Sequence, residues 1–131
     1  MNVSRGRESG RPSARRTATV TGEMWGDALL DGGETTVNSV FFAPAARTHW
    51  HSHDGGQVLL VTSGEGYVVT AAGQAAHVAA GDVVYSPPGE IHWHGATQDT
   101  FVLHTAITNG KTDWLDPVAD EQYAHAHGTG S

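Results

Sequence analysis

The segment of residues 48–57, THWHSHDGGQ, carries the strongest structural signal in this chain. In an extended strand successive side chains point to opposite faces, so His49, His51 and His53 would share one face. An imidazole on a half-buried face needs partners for its ring nitrogens, and a bound metal ion is the commonest group that uses several of them. Residues 92–94 (HWH) repeat the pattern. Two such strands facing each other could close a metal site.

Composition and charge exclude several classes of protein. The 131 residues suffice for one domain and are too few for two, and the absence of cysteine excludes disulfides and thiolate metal sites. From Thr17 onward only Arg47 and Lys111 oppose thirteen acidic residues, and an acidic body of this kind argues against a nucleic-acid partner. No apolar run approaches the roughly 18 residues of a membrane span, and the arginine-rich start lacks the apolar region of a signal peptide. We therefore expect a cytoplasmic protein with no membrane partner.

Short β-branched and aromatic segments alternate with turns along most of the chain. Residues 36–43 (TVNSVFFA) and 57–62 (QVLLVT) are typical strands, and clusters of Gly, Pro and Asp separate such segments. Eight or nine short strands at regular spacing predict an all-β fold, either a closed barrel or a jelly-roll sandwich.

The two ends of the chain differ from this pattern. Asp116 and Pro117 predict the start of a short C-terminal helix that continues through Tyr123. The expected organisation is therefore one domain over residues 18–123. It lies between a flexible basic tail (1–17) and a flexible C-terminal tail (124–131).

The histidines, glycines and prolines together resemble the two motifs of the cupin superfamily. The first motif, G-x5-H-x-H-x3,4-E-x6-G, fits His51, His53, Gln57 and Gly64, with Ala45 in place of the opening glycine. The second motif, G-x5-P-x-G-x2-H-x3-N, fits Gly81, Pro87, Gly89 and His92, with Ala96 where asparagine often stands. The resemblance covers about residues 36–107 and implies the cupin double-stranded β-helix, a jelly-roll barrel, with a short C-terminal helix after it.

The resemblance also implies a metal site made of His51, His53, Gln57 and His92. Ligands this generic do not distinguish Zn, Mn, Fe or Ni, so the expected cofactor is one divalent metal ion. Gln57 stands where cupins usually have glutamate. A neutral amide leaves the ion at its full charge, which makes it a stronger Lewis acid. A hydrogen-bonded cluster of the same side chains inside the barrel is the alternative.

Among cupins the chain is most similar to small single-domain members with the motifs A-R-T-x-W-H-x-H-x-x-G-Q and G-E-x-H-W-H-G-A. Here these motifs are residues 46–57 and 89–96. That group includes manganese-dependent bacterial hydroxynitrile lyases, and cupin-type aromatic polyketide cyclases look similar in fold and site. The resemblance places two further active-site histidines at His94 and His104. His104 is the candidate base, His94 is either catalytic or a partner of the ligands, and the role of His49 stays open.

These observations predict an enzyme that acts on a small-molecule substrate. Lewis-acid chemistry with histidine acid/base catalysis at a carbonyl suits carbon–carbon bond formation or cleavage. Examples are cyanohydrin cleavage and the aldol-type cyclisation of an aromatic polyketide in antibiotic biosynthesis. A quercetinase-like oxygen-dependent dioxygenase and a non-catalytic ligand-binding cupin are the alternatives. The apolar residues within 20–30 predict a homodimer interface.

Overall fold

The computed structural model describes residues 1–7 and 10–129. Within these ranges, short antiparallel strands lead to a single helix at the C-terminal end. The elements are β1 (Ala14–Arg16), β2 (Val20–Thr21), β3 (Met24–Asp31), β4 (Thr35–Phe42), β5 (Arg47–Thr48), β6 (His51–His53), β7 (Gln57–Thr70), β8 (Ala75–Ala79), β9 (Val83–Ser86), β10 (His92–Ala96), β11 (Val102–Asn109), β12 (Thr112–Trp114) and α1 (Asp120–Thr129).

The strands form a nearly closed antiparallel barrel, which confirms the predicted all-β barrel with its short C-terminal helix. The strand order is β1-β3-β4-β11-β7-β10-β5-β2, while β6 pairs with β10 and β12. The long strand β7 joins the two halves, because its first part pairs with β9 and β11 and its second part with β8 and β10. Gly64 lies between these parts with a φ of 80°. A Cβ at this position would collide with the carbonyl oxygen of Phe101, so glycine is required at the bend.

The inside of the barrel holds both apolar and polar side chains. Phe42, Leu59 and Val102 are almost completely buried in the main apolar cluster. Strand β11 alternates strictly between buried and half-buried residues, so His104 and Thr108 point inward on the same face as Val102. The alternation therefore delivers polar side chains into the same interior as the apolar core.

The histidine-rich segment is two short strands, where the sequence predicts one continuous strand over residues 48–53. The break falls at His49 and Trp50, between β5 and β6. Their backbone N–H groups leave the ladder and donate to the carbonyl oxygens of Thr19 and Asp116. The simple alternation that would put His49 on the face of His51 is therefore interrupted.

Both predicted tails contain regular structure. β1 lies inside the predicted N-terminal tail and pairs antiparallel with β3. The helix begins at Asp120 and runs to Thr129, beyond the predicted end at Tyr123. It persists because Tyr123 and Ala126 are buried in a second apolar cluster with Trp93. Residues 130–131 of the predicted C-terminal tail lie outside the described residues.

A buried arginine attaches the helix to the strand that leads to the histidines. Arg47 on β5 donates to the carbonyl oxygen of Val118 and to Oδ1 of Asp120, at 3.0 and 2.8 Å. Its guanidinium carbon lies 4.5 Å from the centre of the Tyr123 ring. Charge-assisted hydrogen bonds and a cation–π contact together hold the helix against the barrel.

The surface expected to form a dimer interface is partly covered within the chain itself. Val20 and Met24 belong to the barrel core, while Trp25, Leu29 and Leu30 are half-buried.

No helix in the described ranges is long and apolar enough to cross a membrane.

Candidate metal centre

Three histidines converge inside the barrel. His51 and His53 point inward from β6, and His92 on β10 is the direct cross-strand partner of His51. One ring nitrogen from each of the three lies within 4.8 Å of the others, which is close enough for all three to bind a single ion. All three side chains are almost completely buried. The structure thus brings together the three histidines that the sequence predicts as ligands.

Backbone carbonyl groups orient two of these rings. Nδ1 of His51 donates to the carbonyl oxygen of His49 at 2.8 Å, and Nδ1 of His92 donates to that of Glu90 at 3.0 Å. A carbonyl oxygen can only accept, so Nδ1 carries the hydrogen in both neutral rings and Nε2 carries the lone pair. Each ring therefore presents the nitrogen that a metal ion requires.

The centre contains polar atoms that lack protein partners. Nε2 of His53, Nε2 of His92 and Oε1 of Gln57 are buried without a hydrogen bond in the described part of the chain. Such atoms carry a desolvation penalty of about 1–3 kcal/mol each. A divalent ion would accept the lone pairs of all three atoms, so the residues present fit a metal.

Gln57, the first residue of β7, completes the donor set that the sequence predicts. Its Nε2 donates to Oγ1 of Thr108 at 2.9 Å, which leaves Oε1 as the unpaired end of the amide. The Gln57 side chain also lies close enough to His53 to act on the pKa of that histidine. Three imidazole nitrogens and one amide oxygen form a neutral set suited to Mn, Fe, Ni or Zn.

Burial keeps these imidazoles neutral. Desolvation is the largest cause that lowers the pKa of His51 to about 3 and that of His53 to about 4, and the neighbouring His92 lowers both further. Burial also lowers the pKa of His92 itself. Neutral rings bind a metal without first releasing a proton.

We expect acid to destabilise the metal-free protein. The buried histidines stay neutral in the folded state, but in the unfolded chain they take up protons below their ordinary pKa of 6.5. The unfolded state then binds more protons, so this stabilisation is complete above pH 6.5 and is lost as the pH falls toward about 4. Each histidine contributes at most about 1.4 kcal/mol per pH unit in this window. Urea denaturation at several pH values would measure the slope, and a free energy of unfolding that stays constant below pH 6.5 would contradict the expectation.

A second histidine pair lies beside the three converging histidines. His94 follows His92 on the same face of β10, and its ring centre is 5.3 Å from that of His51. Nδ1 of His94 and Nε2 of His104 are 3.3 Å apart in the buried interior, where Phe42 contacts both rings. Nδ1 of His104 has no partner among the residues described. The two predicted catalytic histidines therefore form one hydrogen-bonded unit next to the candidate ligands.

The protein environment also opposes charging this pair. Burial is the largest cause that takes the pKa of His94 well below its usual value, and His104 lowers it further. Burial lowers the pKa of His104 to about 4. Both rings are neutral at pH 7, which is the form in which one can accept a proton from a substrate.

Sequence reasoning missed the contribution of β12. Thr112 pairs with His53 and Trp114 pairs with His51, so both residues flank the centre. Oγ1 of Thr112 is 2.9 Å from Nδ1 of His53, and the Trp114 ring centre is 4.6 Å from that of His51. The alternation of residues 112–114 hints at a strand, but only the pairing with β6 places it there. His49, whose role the sequence leaves open, contributes its carbonyl oxygen to His51.

The family comparison agrees with this geometry. Residues 38–107 match the family described as Cupin domain, and the chain therefore belongs to the cupins. The chain is 48% identical over 89 residues to the (R)-mandelonitrile lyase of Granulicella tundricola, a match that covers 65% of this chain and 68% of that protein.

Solved structures show the same fold. A cupin-like protein from Thermotoga maritima superposes with a TM-score of 0.85 and 36% identity over 92% of this chain and 97% of that one. The polyketide cyclase RemF from Streptomyces resistomycificus superposes with a TM-score of 0.72 over 96% of this chain and 94% of that one. At 16% identity the second likeness extends to the fold alone.

Proposed function

We propose that this protein is a metal-dependent lyase that cleaves the carbon–carbon bond of a small aromatic cyanohydrin, with release of an aldehyde and hydrogen cyanide. The observation that carries the proposal is the neutral donor set of His51, His53, His92 and Gln57 beside the buried pair of His94 and His104. The 48% identity to a mandelonitrile lyase supports this substrate class. When bound, the ion would supply Lewis-acid stabilisation at the substrate oxygen.

The histidine pair supplies the proton chemistry. Cleavage removes the hydroxyl proton of the cyanohydrin, turns the C–O bond into a carbonyl, and breaks the bond to the nitrile carbon, which leaves with the electron pair and gains a proton. Nδ1 of His94 faces His104, so Nε2 of His94 is the nitrogen available to the substrate. In this proposal His94 and His104 together hold the substrate proton and return it to cyanide. Both rings are neutral, so each retains a ring nitrogen that can accept a proton.

The burial of the centre favours a small substrate over a polycyclic one. The five histidines are each at most 5% exposed, so a substrate must reach them within the barrel. Polyketide cyclisation remains an expectation from sequence, because the likeness to the polyketide cyclase concerns the fold. The dioxygenase and the non-catalytic cupin are alternatives that an assay can separate from the lyase.

The proposal predicts metal-dependent cleavage of (R)-mandelonitrile. Protein loaded with Mn²⁺, Fe²⁺ or Zn²⁺ should release benzaldehyde and cyanide in equal amounts, and chelator-treated protein should not. Absorbance of the aldehyde and a colorimetric cyanide assay provide the measurements. No release with any of these ions would reject the lyase. Oxygen uptake with a flavonol would instead support the dioxygenase, and tight aldehyde binding without turnover would support the binding module.

We also propose a two-fold dimer. Val83 and Tyr85 on β9 are each more than 60% exposed, on a strand that pairs with β7. Large apolar side chains on an outer strand favour contact with a second copy. Light scattering at tens of micromolar should give twice the monomer mass, and Tyr85→Lys should shift the mass toward the monomer. A monomeric wild-type protein would contradict the dimer.

A further inference from the structure

The four candidate ligands are oriented by two different kinds of partner. His51 and His92 donate to carbonyl oxygens two residues earlier in their own segments. Gln57 and His53 instead contact the hydroxyl groups of Thr108 and Thr112, which are 51 and 59 residues away in sequence. The main-chain partners are fixed by the local backbone, whereas the hydroxyl groups depend on two side chains from β11 and β12.

Thr108 is the buried partner of the nitrogen end of the Gln57 amide. The amide nitrogen can only donate and the amide oxygen can only accept. Oγ1 of Thr108 accepts from Nε2 at 2.9 Å, and this contact leaves the buried Oε1 as the unpaired end. Without that acceptor the nitrogen would lose its partner, and a flipped amide would present hydrogens where an ion needs a lone pair. Thr108 is itself buried, which removes water as a substitute partner.

Thr112 acts in the same way on His53. A neutral imidazole carries its hydrogen on one nitrogen and its lone pair on the other. When Nδ1 of His53 donates to Oγ1 of Thr112, the lone pair lies on the buried and unpaired Nε2. In the tautomer that binds metal, removal of the hydroxyl would leave the Nδ1 hydrogen without its acceptor and the ring without its partner on β12. Carboxylates, carbonyls and similar outer partners commonly raise metal affinity by this means.

We infer that Thr108 and Thr112 are positioning residues whose hydroxyl groups hold Gln57 and His53 in place and thereby raise the affinity for the divalent ion. The inference rests on the proposed metal centre. The two hydroxyl groups contact candidate ligands, so each threonine would act through the side chain that it orients. Thr108 lies on β11 and Thr112 on β12, and both follow the residues that match the cupin family, 38–107.

The test measures the dissociation constants of Mn²⁺ and Zn²⁺ by competition with a chromophoric chelator, without any substrate. Thr108→Val and Thr112→Val preserve the shape of the side chain and remove the hydroxyl, and each should weaken binding about 10- to 100-fold. Thr108→Ser and Thr112→Ser keep the hydroxyl and should remain within a few-fold of wild type. Thr62→Val is the matched control, because it removes a hydroxyl that donates to the carbonyl oxygen of Leu103 on the exposed surface.

The outcomes separate this inference from the function proposed above. A wild-type protein that binds neither ion would reject the metal centre and the lyase together. A wild type that binds metal while both valine variants bind equally well would overturn the roles of the threonines alone. Equal losses in the valine and serine variants would also overturn them, because packing and not the hydroxyl would then be responsible. The unfolding midpoint of each metal-free variant checks that it folds. If a valine variant does not fold, the alanine variant at the same position removes the hydroxyl in its place.

Discussion

Replacement of His92 by alanine should remove about one equivalent of divalent metal per chain and abolish cyanohydrin cleavage. His92 is completely buried, pairs across the sheet with His51, and has an Nε2 without a hydrogen bond among the described residues, close to the other two converging histidines. His51→Ala should have the same effect, because either change leaves only two imidazoles. Since metal-binding energy is partly folding energy, the unfolding temperature measured in the presence of metal should also fall.

A surface histidine provides the control for these two variants. His77 lies on β8 with its Nε2 3.8 Å from Glu65, away from the converging histidines. His77→Ala should therefore keep its metal, its activity and its unfolding temperature. Elemental analysis of the three purified variants is the measurement. Full occupancy in both His51→Ala and His92→Ala would show that the three histidines do not hold the ion.

His104→Ala should keep the metal ion and lower kcat by about 10²- to 10⁴-fold, which is the usual contribution of a general acid or base. His104 contacts His94 and Phe42. The ring contacts to His51 and His92 are made by His94. The remaining rate would measure the contribution of the ion together with His94. Steady-state kinetics with (R)-mandelonitrile, together with metal analysis of the same sample, provide the measurement.

His94→Ala distinguishes a catalytic role from a supporting one. If His94 only supports the ligands, its removal should weaken metal affinity by about 10- to 100-fold and leave kcat nearly unchanged at saturating metal. If His94 takes the substrate proton, its removal should lower kcat even when the metal site is fully occupied. Loss of metal in His104→Ala would make His104 a ligand. Unchanged kcat in both metal-loaded variants would remove the acid/base pair from the mechanism.

Much of the fold and part of the site follow from local patterns in the sequence. Turn residues such as Gly64 and the apolar alternation of β11 depend on backbone preferences within a few residues, so they predict the barrel. The spacing of His51 and His53 in one strand gives two side chains on one face wherever that strand lies. The family motif adds His92, and the structure brings all three together.

Only the tertiary structure shows the break at His49 and Trp50 and the extension of α1 to Thr129. The break depends on carbonyl oxygens supplied by Thr19 and Asp116, and the helix depends on burial of its apolar side chains against Trp93. Isolated short helices are marginal in water, so the sequence of residues 124–129 does not by itself predict one.

The orientation of the ligands shows the same division. The carbonyl partners of His51 and His92 lie two residues away and come with the strand itself. The hydroxyl partners of Gln57 and His53 come from β11 and β12, and they meet their ligands only through the register of β11 on β7 and of β12 on β6. A shift of either register by one residue would turn the hydroxyl to the opposite face of its strand. The sequence therefore indicates which side chains can bind a metal, whereas closure of the barrel supplies the distant partners that orient them.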